Sequence, residues 1–263
     1  MYKHHEESIE KMIEYFSKED GVIALILGGS VAKGREREDS DLDGIIIVTP
    51  KYYEEKKRRH QLAECIHGFC TYPKGYFDCK YYKKEFLQAA AKMGSEPARN
   101  AFWGARVLFT KDPEIEKLIN EIPLFQQGEY EDKMLSFYSA LMLNYNYFWN
   151  MLTEEDSYMR IKTASEIIYH VYRMILQENK IIFPCNRNLE LTVEMAQNKP
   201  EGILEAGRKF SNNLEDESCK AFVELFLDWL PYNPPEDKSV TQERYVADYE
   251  LWWKEPRPLV NEW

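Results

Sequence analysis

Two aspartates one residue apart, Asp41 and Asp43, close the segment Leu27-Gly28-Gly29-Ser30-Val31-Ala32-Lys33-Gly34-Arg35-Glu36-Arg37-Glu38-Asp39-Ser40-Asp41-Leu42-Asp43. Strand residues two apart project from one face, so both carboxylates point together while Leu42 turns into the core. Adjacent carboxylates repel. Hard divalent cations relieve that repulsion, and Mg²⁺ is held by one or two carboxylates together with substrate phosphates. Two such ions, about 3.5–4 Å apart, can serve an in-line displacement at phosphorus. Upstream, Gly29 lets the backbone approach a phosphate closely, Ser30 offers a hydroxyl, and the amides that open a following helix add a positive dipole. Gly29, Ser30, Lys33 and Ser40 are the candidate phosphate-binding set. A third carboxylate is expected beside the pair. Asp78 fills that place in a later strand, with Phe77 and Cys79 facing the other way. It is assigned as a third metal ligand or as the general base that takes a proton from an acceptor hydroxyl.

Each piece has a bland counterpart. An isolated Asp-x-Asp is usually a solvated strand edge, a lone Gly-Gly-Ser is usually a turn, and Asp78 can simply pair with Lys80 or Lys83. The conjunction carries more weight: an apolar strand, Gly-Ser, ten residues between Ser30 and Asp41, Ser-Asp-x-Asp, then a strand of four apolar residues.

The elements that must position these groups follow from periodicity. Ile9, Met12, Ile13 and Phe16 recur at helical spacing over 4–18. Val22 to Leu27 reads as a buried strand that meets a tight turn at Gly28-Gly29-Ser30, and Leu42 to Val48 reads as a second strand closed by Pro50. A helix is expected over 51–66, a third strand over Gly75 to Tyr82 and a helix over 83–93. Arg106 to Phe109 is a candidate fourth strand. Beyond Pro113 the pattern becomes helical, over 114–121, 129–152, 157–179, 189–197, 200–211 and 215–230. The stretch from Pro231 to Trp263, rich in Pro and Trp, is expected to wrap back over the body. The expected fold class is α+β: a small mixed sheet flanked by helices over residues 1–115, then a helical bundle domain over 116–263 that binds the acceptor.

Composition narrows the partners. A net charge of −11 disfavours a broad surface for nucleic-acid backbone, which gains affinity from Lys and Arg against phosphates. It suits a small or cationic partner, while a local pocket can still be basic. Five scattered cysteines, Cys65, Cys70, Cys79, Cys185 and Cys219, lack metal-ligand spacing and read as reduced structural thiols. No stretch approaches the roughly 18 apolar residues of a membrane span. The opening MYKHHEESIEKMIEYF lacks a signal peptide's basic-then-apolar order, and the cytoplasm is the expected location.

On the residues from Val22 to Tyr82 the chain resembles the nucleotidyltransferase superfamily that includes DNA polymerase beta, with its Gly-Ser, spacer, Asp-x-Asp and later strand carboxylate. Length, domain order and acidity look like the bacterial nucleotidyltransferases that modify aminoglycoside or lincosamide antibiotics. The resemblance implies two Mg²⁺ ions on Asp41, Asp43 and Asp78, and a nucleoside triphosphate, ATP foremost, as co-substrate on Gly29 and Ser30. It implies transfer of AMP to a hydroxyl of a small molecule, an aminoglycoside-like antibiotic among the candidates. The alternatives are a protein or RNA acceptor, as in toxin-system relatives, and a nucleotide-binding module without turnover. In the helical half, Tyr145, Trp149, Glu154, Glu155 and Asp156 are candidate acceptor contacts, with core packing and a solvated turn as the competing reading. Lys162, Glu166, His170 and Arg173 share a helix face, either toward the cleft or as an exposed ion-paired stripe. Glu96 is a second candidate base, with helix capping as its alternative. His4-His5 is assigned no chemistry.

Overall fold

The run Val22-Ile23-Ala24-Leu25-Ile26-Leu27 is apolar on both faces and so requires cover on both. In the computed structural model, which describes residues 1–254, 259–261 and 263, it forms β1 (Val22–Leu27), flanked by β2 (Leu42–Val48) and β5 (Arg106–Thr110). The remaining strands are β3 (Ala63–His67) and β4 (Tyr76–Tyr82), giving the order β3-β4-β2-β1-β5. Only β2 and β4 pair in parallel; the other three pairings are antiparallel. The α+β class with a mixed sheet followed by helices is as expected.

The chain divides into two compact units, Met1–Leu124 and Phe125–Trp263. In the first, α1 (Lys3–Ser17) lays Ile9, Met12 and Phe16 on the sheet face formed by Val22, Leu25, Leu42, Ile46, Phe77 and Tyr81. Met12 reaches the backbone itself because residue 44 is glycine: a Cβ there would lie 2.3 Å from the Met12 methyl. The opposite face, with Ala24, Ile26 and Ile47, is covered by α4 (Lys84–Met93), by Phe102 just after α5 (Glu96–Asn100), and by α6 (Glu114–Glu121) through Ile115, Leu118 and Ile119. α6 thus belongs to the core of this unit, which continues past residue 115.

The sheet departs from the sequence reading at one strand. The helix expected over 51–66 is α3 (Pro50–Arg58), capped by the Thr49 hydroxyl, which accepts from the Tyr52 amide. The chain turns at His60, which has φ 56°, and enters β3 instead. Within β3 the period is two: Glu64 and Ile66 are half-buried while Ala63, Cys65 and His67 are exposed. That alternation fits an edge strand, and the basic last turn Lys56-Lys57-Arg58 suits a helix C-terminus. The sheet therefore has five members where four were expected.

The second unit is built on α8 (Ser157–Glu178), which buries Ile167, Val171, Met174 and Ile175. These pack with Phe137 and Leu141 of α7 (Tyr130–Leu143) and with Val193 of α9 (Leu189–Met195). Phe210 of α10 (Ile203–Asn213) and Phe222 and Phe226 of α11 (Asp216–Trp229) complete the core. Each fully buried aromatic there contributes about 1.5–3 kcal/mol. The Pro- and Trp-rich stretch contains a helix the sequence reading omits, α12 (Lys238–Tyr245). It docks on α7 through Arg244, whose guanidinium donates to Asp132 at 2.5 Å, Ser136 at 2.8 Å and Asp248 at 3.0 Å. Residues 255–258 and 262 of that stretch lie outside the described residues. No helix among the described residues is long and apolar enough to cross a membrane, and all five cysteines are free thiols.

Candidate active site

β2 and β4 run side by side with Asp43 directly opposite Asp78. A parallel neighbour is about 4.8 Å away, so register alone brings these carboxylates together. Asp41 stands just ahead of β2, two residues before Asp43, and its side chain joins the same face. Ligating oxygens of Asp41, Asp43 and Asp78 all lie within 4.8 Å of one another, and each residue is half-buried. The same face continues into Ile45 and Ile47, under the α4–α6 cover. The aspartates therefore occupy the end of the sheet face whose apolar continuation is core.

The Gly28-Gly29-Ser30 turn lies directly against this cluster. The Gly28 amide donates to the Asp43 carbonyl at 2.9 Å. Gly29 has φ +65°, and a Cβ there would fall 1.6 Å from Asp43 Oδ2, so both the backbone conformation and the space reserve the position for glycine. The helix expected to follow is a single turn, α2 (Gly29–Ala32). One turn sums few peptide dipoles, so local amides, rather than a macrodipole, are what the turn presents. Ser30 is half-buried beside it, and its hydroxyl makes no hydrogen bond among the described residues. Ser40 differs: it is buried, and its hydroxyl accepts from the Arg37 amide at 2.9 Å, closing the turn before Asp41.

Charge is concentrated here. Burial, then the neighbouring charges of Asp41 and Asp78, push the Asp43 carboxyl up to about 6, against the opposing pull of Lys80 and Lys33. Lys80 reaches Asp78 Oδ2 at 3.1 Å; burial works against its charge, but the hydrogen bond and charge of Asp78, with Asp43, hold it above its usual value. The neighbouring Asp41 carboxylate raises the pKa of the Tyr76 phenol. Three converging carboxylates form an all-oxygen donor set with excess negative charge. That set fits a hard divalent cation such as Mg²⁺.

Residues 9–92 match the family model described as the nucleotidyltransferase domain. The chain carries a nucleotidyltransferase domain. No match is found among curated proteins. Among solved structures, a nucleotidyltransferase-like protein from Exiguobacterium sibiricum 255-15 is similar at 11% identity and a TM-score of 0.46, over 96% of this chain and 81% of that one. A spectinomycin adenyltransferase from Enterococcus faecialis, solved with ATP and spectinomycin, is similar at 13% identity and a TM-score of 0.33, over 93% and 96% of the two chains.

Around Lys33, already among the phosphate-binding candidates, the nucleotidyltransferase domain holds groups the sequence reading did not select. Lys33, from the end of the Gly-Ser turn, donates to the Asn100 carbonyl at 3.0 Å and to its side-chain oxygen at 3.1 Å. Together with Arg35 it lies over the Trp103 ring, at 5.9 and 5.2 Å. The segment 100–104 thus forms a wall beside the turn. The signal for it was Trp103-Gly104 a short way after Glu96-Pro97, a helix start followed by an exposed aromatic. Tyr76 and Lys80 were readable from β4, since they alternate with Asp78 on one face.

The other candidates differ in burial and partners. Glu96 is 2% exposed at the start of α5. In the helical unit Trp149 is core: its indole N–H donates to Asp216 at 3.0 Å, its ring meets Phe210, and Arg160 covers it at 4.5 Å. Tyr145 packs on the same core. Asp156 accepts from the Thr153 amide and hydroxyl, both at 2.9 Å, while Glu154 and Glu155 are exposed, so this acidic run is a closed turn. The stripe on α8 is part exposed and part interior. Lys162 is exposed and 3.7 Å from Glu166, but His170 and Arg173 are fully buried, with Arg173 stacked on Phe137 and Phe183 and bonded to Tyr169, Asn261 and Trp263.

Proposed function

We propose that this nucleotidyltransferase is Mg²⁺-dependent and transfers a nucleoside monophosphate, AMP from ATP, to the hydroxyl of a small molecule. The observation that carries the reading is the convergence of Asp41, Asp43 and Asp78 against a Gly28-Gly29-Ser30 turn shaped to leave no room for a side chain at residue 29. Asp41, Asp43 and Asp78 would hold the ions. When bound, Mg²⁺ supplies Lewis-acid stabilisation to the phosphates and to the attacking oxygen. The chain's own part is placement. Gly29 and the Ser30 hydroxyl are assigned to the phosphate oxygens, with Lys33 as the adjacent cation. Asp78 lies on the β3 side of the trio and, with Glu96 buried, is the carboxylate assigned to take the acceptor's proton. Recognition of the acceptor is assigned to the helical unit. A net charge of −11 supports a neutral or cationic acceptor over a polyanion.

The test is transfer of label from α-labelled ATP with and without Mg²⁺, offered to hydroxyl-bearing cationic small molecules, to RNA and to whole-lysate protein. Mg²⁺-dependent labelling of a small molecule is expected. Labelling only of protein or RNA overturns the acceptor class, and nucleotide binding with no transfer to anything overturns turnover. Asp41→Ala and Asp43→Ala should each lower transfer by at least about 10³-fold with the circular dichroism spectrum unchanged, as removal of a transition-state stabilising group does. Retained activity in either variant rejects the metal assignment.

A further inference from the structure

The three aspartates are not held equally. Asp43 and Asp78 sit in the β2–β4 ladder, whose recorded register runs from Leu42 opposite Phe77 to Ile47 opposite Tyr82. Asp41 precedes the ladder, so its place depends on the peptide that leads into it. The carbonyl of Ser40 lies in the same rigid plane as the Asp41 amide. It accepts two hydrogen bonds, from the Tyr72 hydroxyl at 2.6 Å and from His5 Nε2 at 3.2 Å, and the two donors are 32 and 35 residues away in sequence. A carbonyl oxygen has two lone pairs, and both are engaged.

His5 is fully buried in the first turns of α1, with its ring 5.0 Å from that of Tyr72 and 4.4 Å from that of His4. Since Nε2 faces a carbonyl, it carries the proton and Nδ1 carries a lone pair. Nδ1 is buried with no hydrogen-bond partner in the described structure. An unpaired buried acceptor is costly, and a phenylalanine would fill the same space without that cost. What imidazole adds is the bond to Ser40.

We propose that His5 and Tyr72 are positioning residues for Asp41: a two-donor clamp on the Ser40 carbonyl that fixes the one metal ligand the sheet does not hold. The inference rests on the metal reading above. The clamp acts through the backbone that leads into Asp41.

The test is Mn²⁺ binding to the full chain without nucleotide, read by electron paramagnetic resonance, alongside thermal melts. Tyr72→Phe and His5→Phe should each raise the Mn²⁺ dissociation constant roughly tenfold, the usual scale for losing an outer-shell partner of a metal ligand. His5→Gln, whose amide N–H reaches about as far as Nε2–H, should restore it to within about twofold of wild type. In turnover, the Phe variants should need more Mg²⁺ for half-maximal rate and recover kcat when Mg²⁺ is saturating. Lowered melting temperature with unchanged Mn²⁺ affinity would make the clamp merely structural and overturn the proposal. Asp41→Asn calibrates the measurement. If it too leaves Mn²⁺ binding unchanged, the metal reading fails and the clamp with it; if it weakens binding while the clamp variants do not, only the clamp fails. Should His5→Phe not fold, the half-exposed Tyr72→Phe carries the same comparison.

Discussion

At Asp43 a carboxylate is kept where its charge is least comfortable. Burial and two like charges raise its pKa from 3.8 to about 6, which means the folded chain holds a proton there that the unfolded chain releases. The sign follows. In the absence of metal, this group's stabilising contribution is fully present below about pH 3.8 and is lost as pH rises through about 6. A divalent cation competes for the same oxygens and reverses the balance. Mn²⁺ or Mg²⁺ affinity should therefore be steady above pH 7 and fall by about tenfold per unit below pH 6, as one proton must leave per site occupied. Calorimetric titration at pH 5, 6, 7 and 8 reads this directly, and Asp43→Asn should show weak, pH-independent binding. A wild-type affinity flat from pH 5 to 8 would mean that Asp43 is not a ligand.

Among the elements, α8 shows how a polar sequence can belong inside. His170 is fully buried; its Nδ1 donates to the Glu166 carbonyl at 2.7 Å and its Nε2 accepts from the Tyr249 hydroxyl, 3.1 Å away. The Glu166 carboxylate lies 3.8 Å from Nδ1, which would suggest an ion pair. Burial instead lowers the pKa from 6.5 to about 3, the carbonyl bond and Arg173 being lesser influences, so the ring is neutral. A depressed histidine favours the folded state only while it is unprotonated: stability is complete above about pH 6.5 and declines as pH falls toward 3. Urea unfolding of the second unit should lose about 1.4 kcal/mol per pH unit below 6.5 from this residue, and His170→Gln should flatten that slope. An equal slope in both proteins rules the residue out as its source. The partners of His170 also explain what sequence could not supply. Tyr249 sits in the π-helical turn Val246–Glu250 that continues α12, and it is this distant cover that turns an apparently exposed stripe into interior. By contrast, the Gly28 to Asp43 segment was legible because its chemistry is local: a turn that tolerates only glycine, then two carboxylates on one strand face. Asp78 was legible as a type and a position. Its pairing with Asp43 needed the parallel β2–β4 register, and β3 was missed because the left-handed turn at His60 ends α3 without a glycine or proline to mark it.

At the scale of the whole molecule the informative quantity is charge. A chain with a net charge of −11 needs local compensation if it is to admit a polyanionic nucleotide. Lys80, bonded to Asp78, and Lys33, whose charge acts on Asp43, supply part of it. The acceptor has no such requirement, and the acidic field should draw a cationic one in. Because that attraction acts over distances comparable to the Debye length, about 10 Å at 0.1 M salt, it is weakened by salt, whereas recognition of a neutral acceptor is not. With saturating Mg²⁺ and ATP, raising NaCl from about 20 to 300 mM should increase KM several-fold for a cationic hydroxyl acceptor and leave it nearly unchanged for a neutral one. Taking the ratio of the two acceptors cancels salt effects on the nucleotide side. A polyanion makes the opposite case: an RNA end gains affinity at low salt only where a basic surface releases its counterions. Equal salt response for charged and neutral acceptors would remove electrostatic attraction from acceptor choice, and preferential transfer to RNA at low salt would place the specificity in a basic local surface that the overall charge conceals.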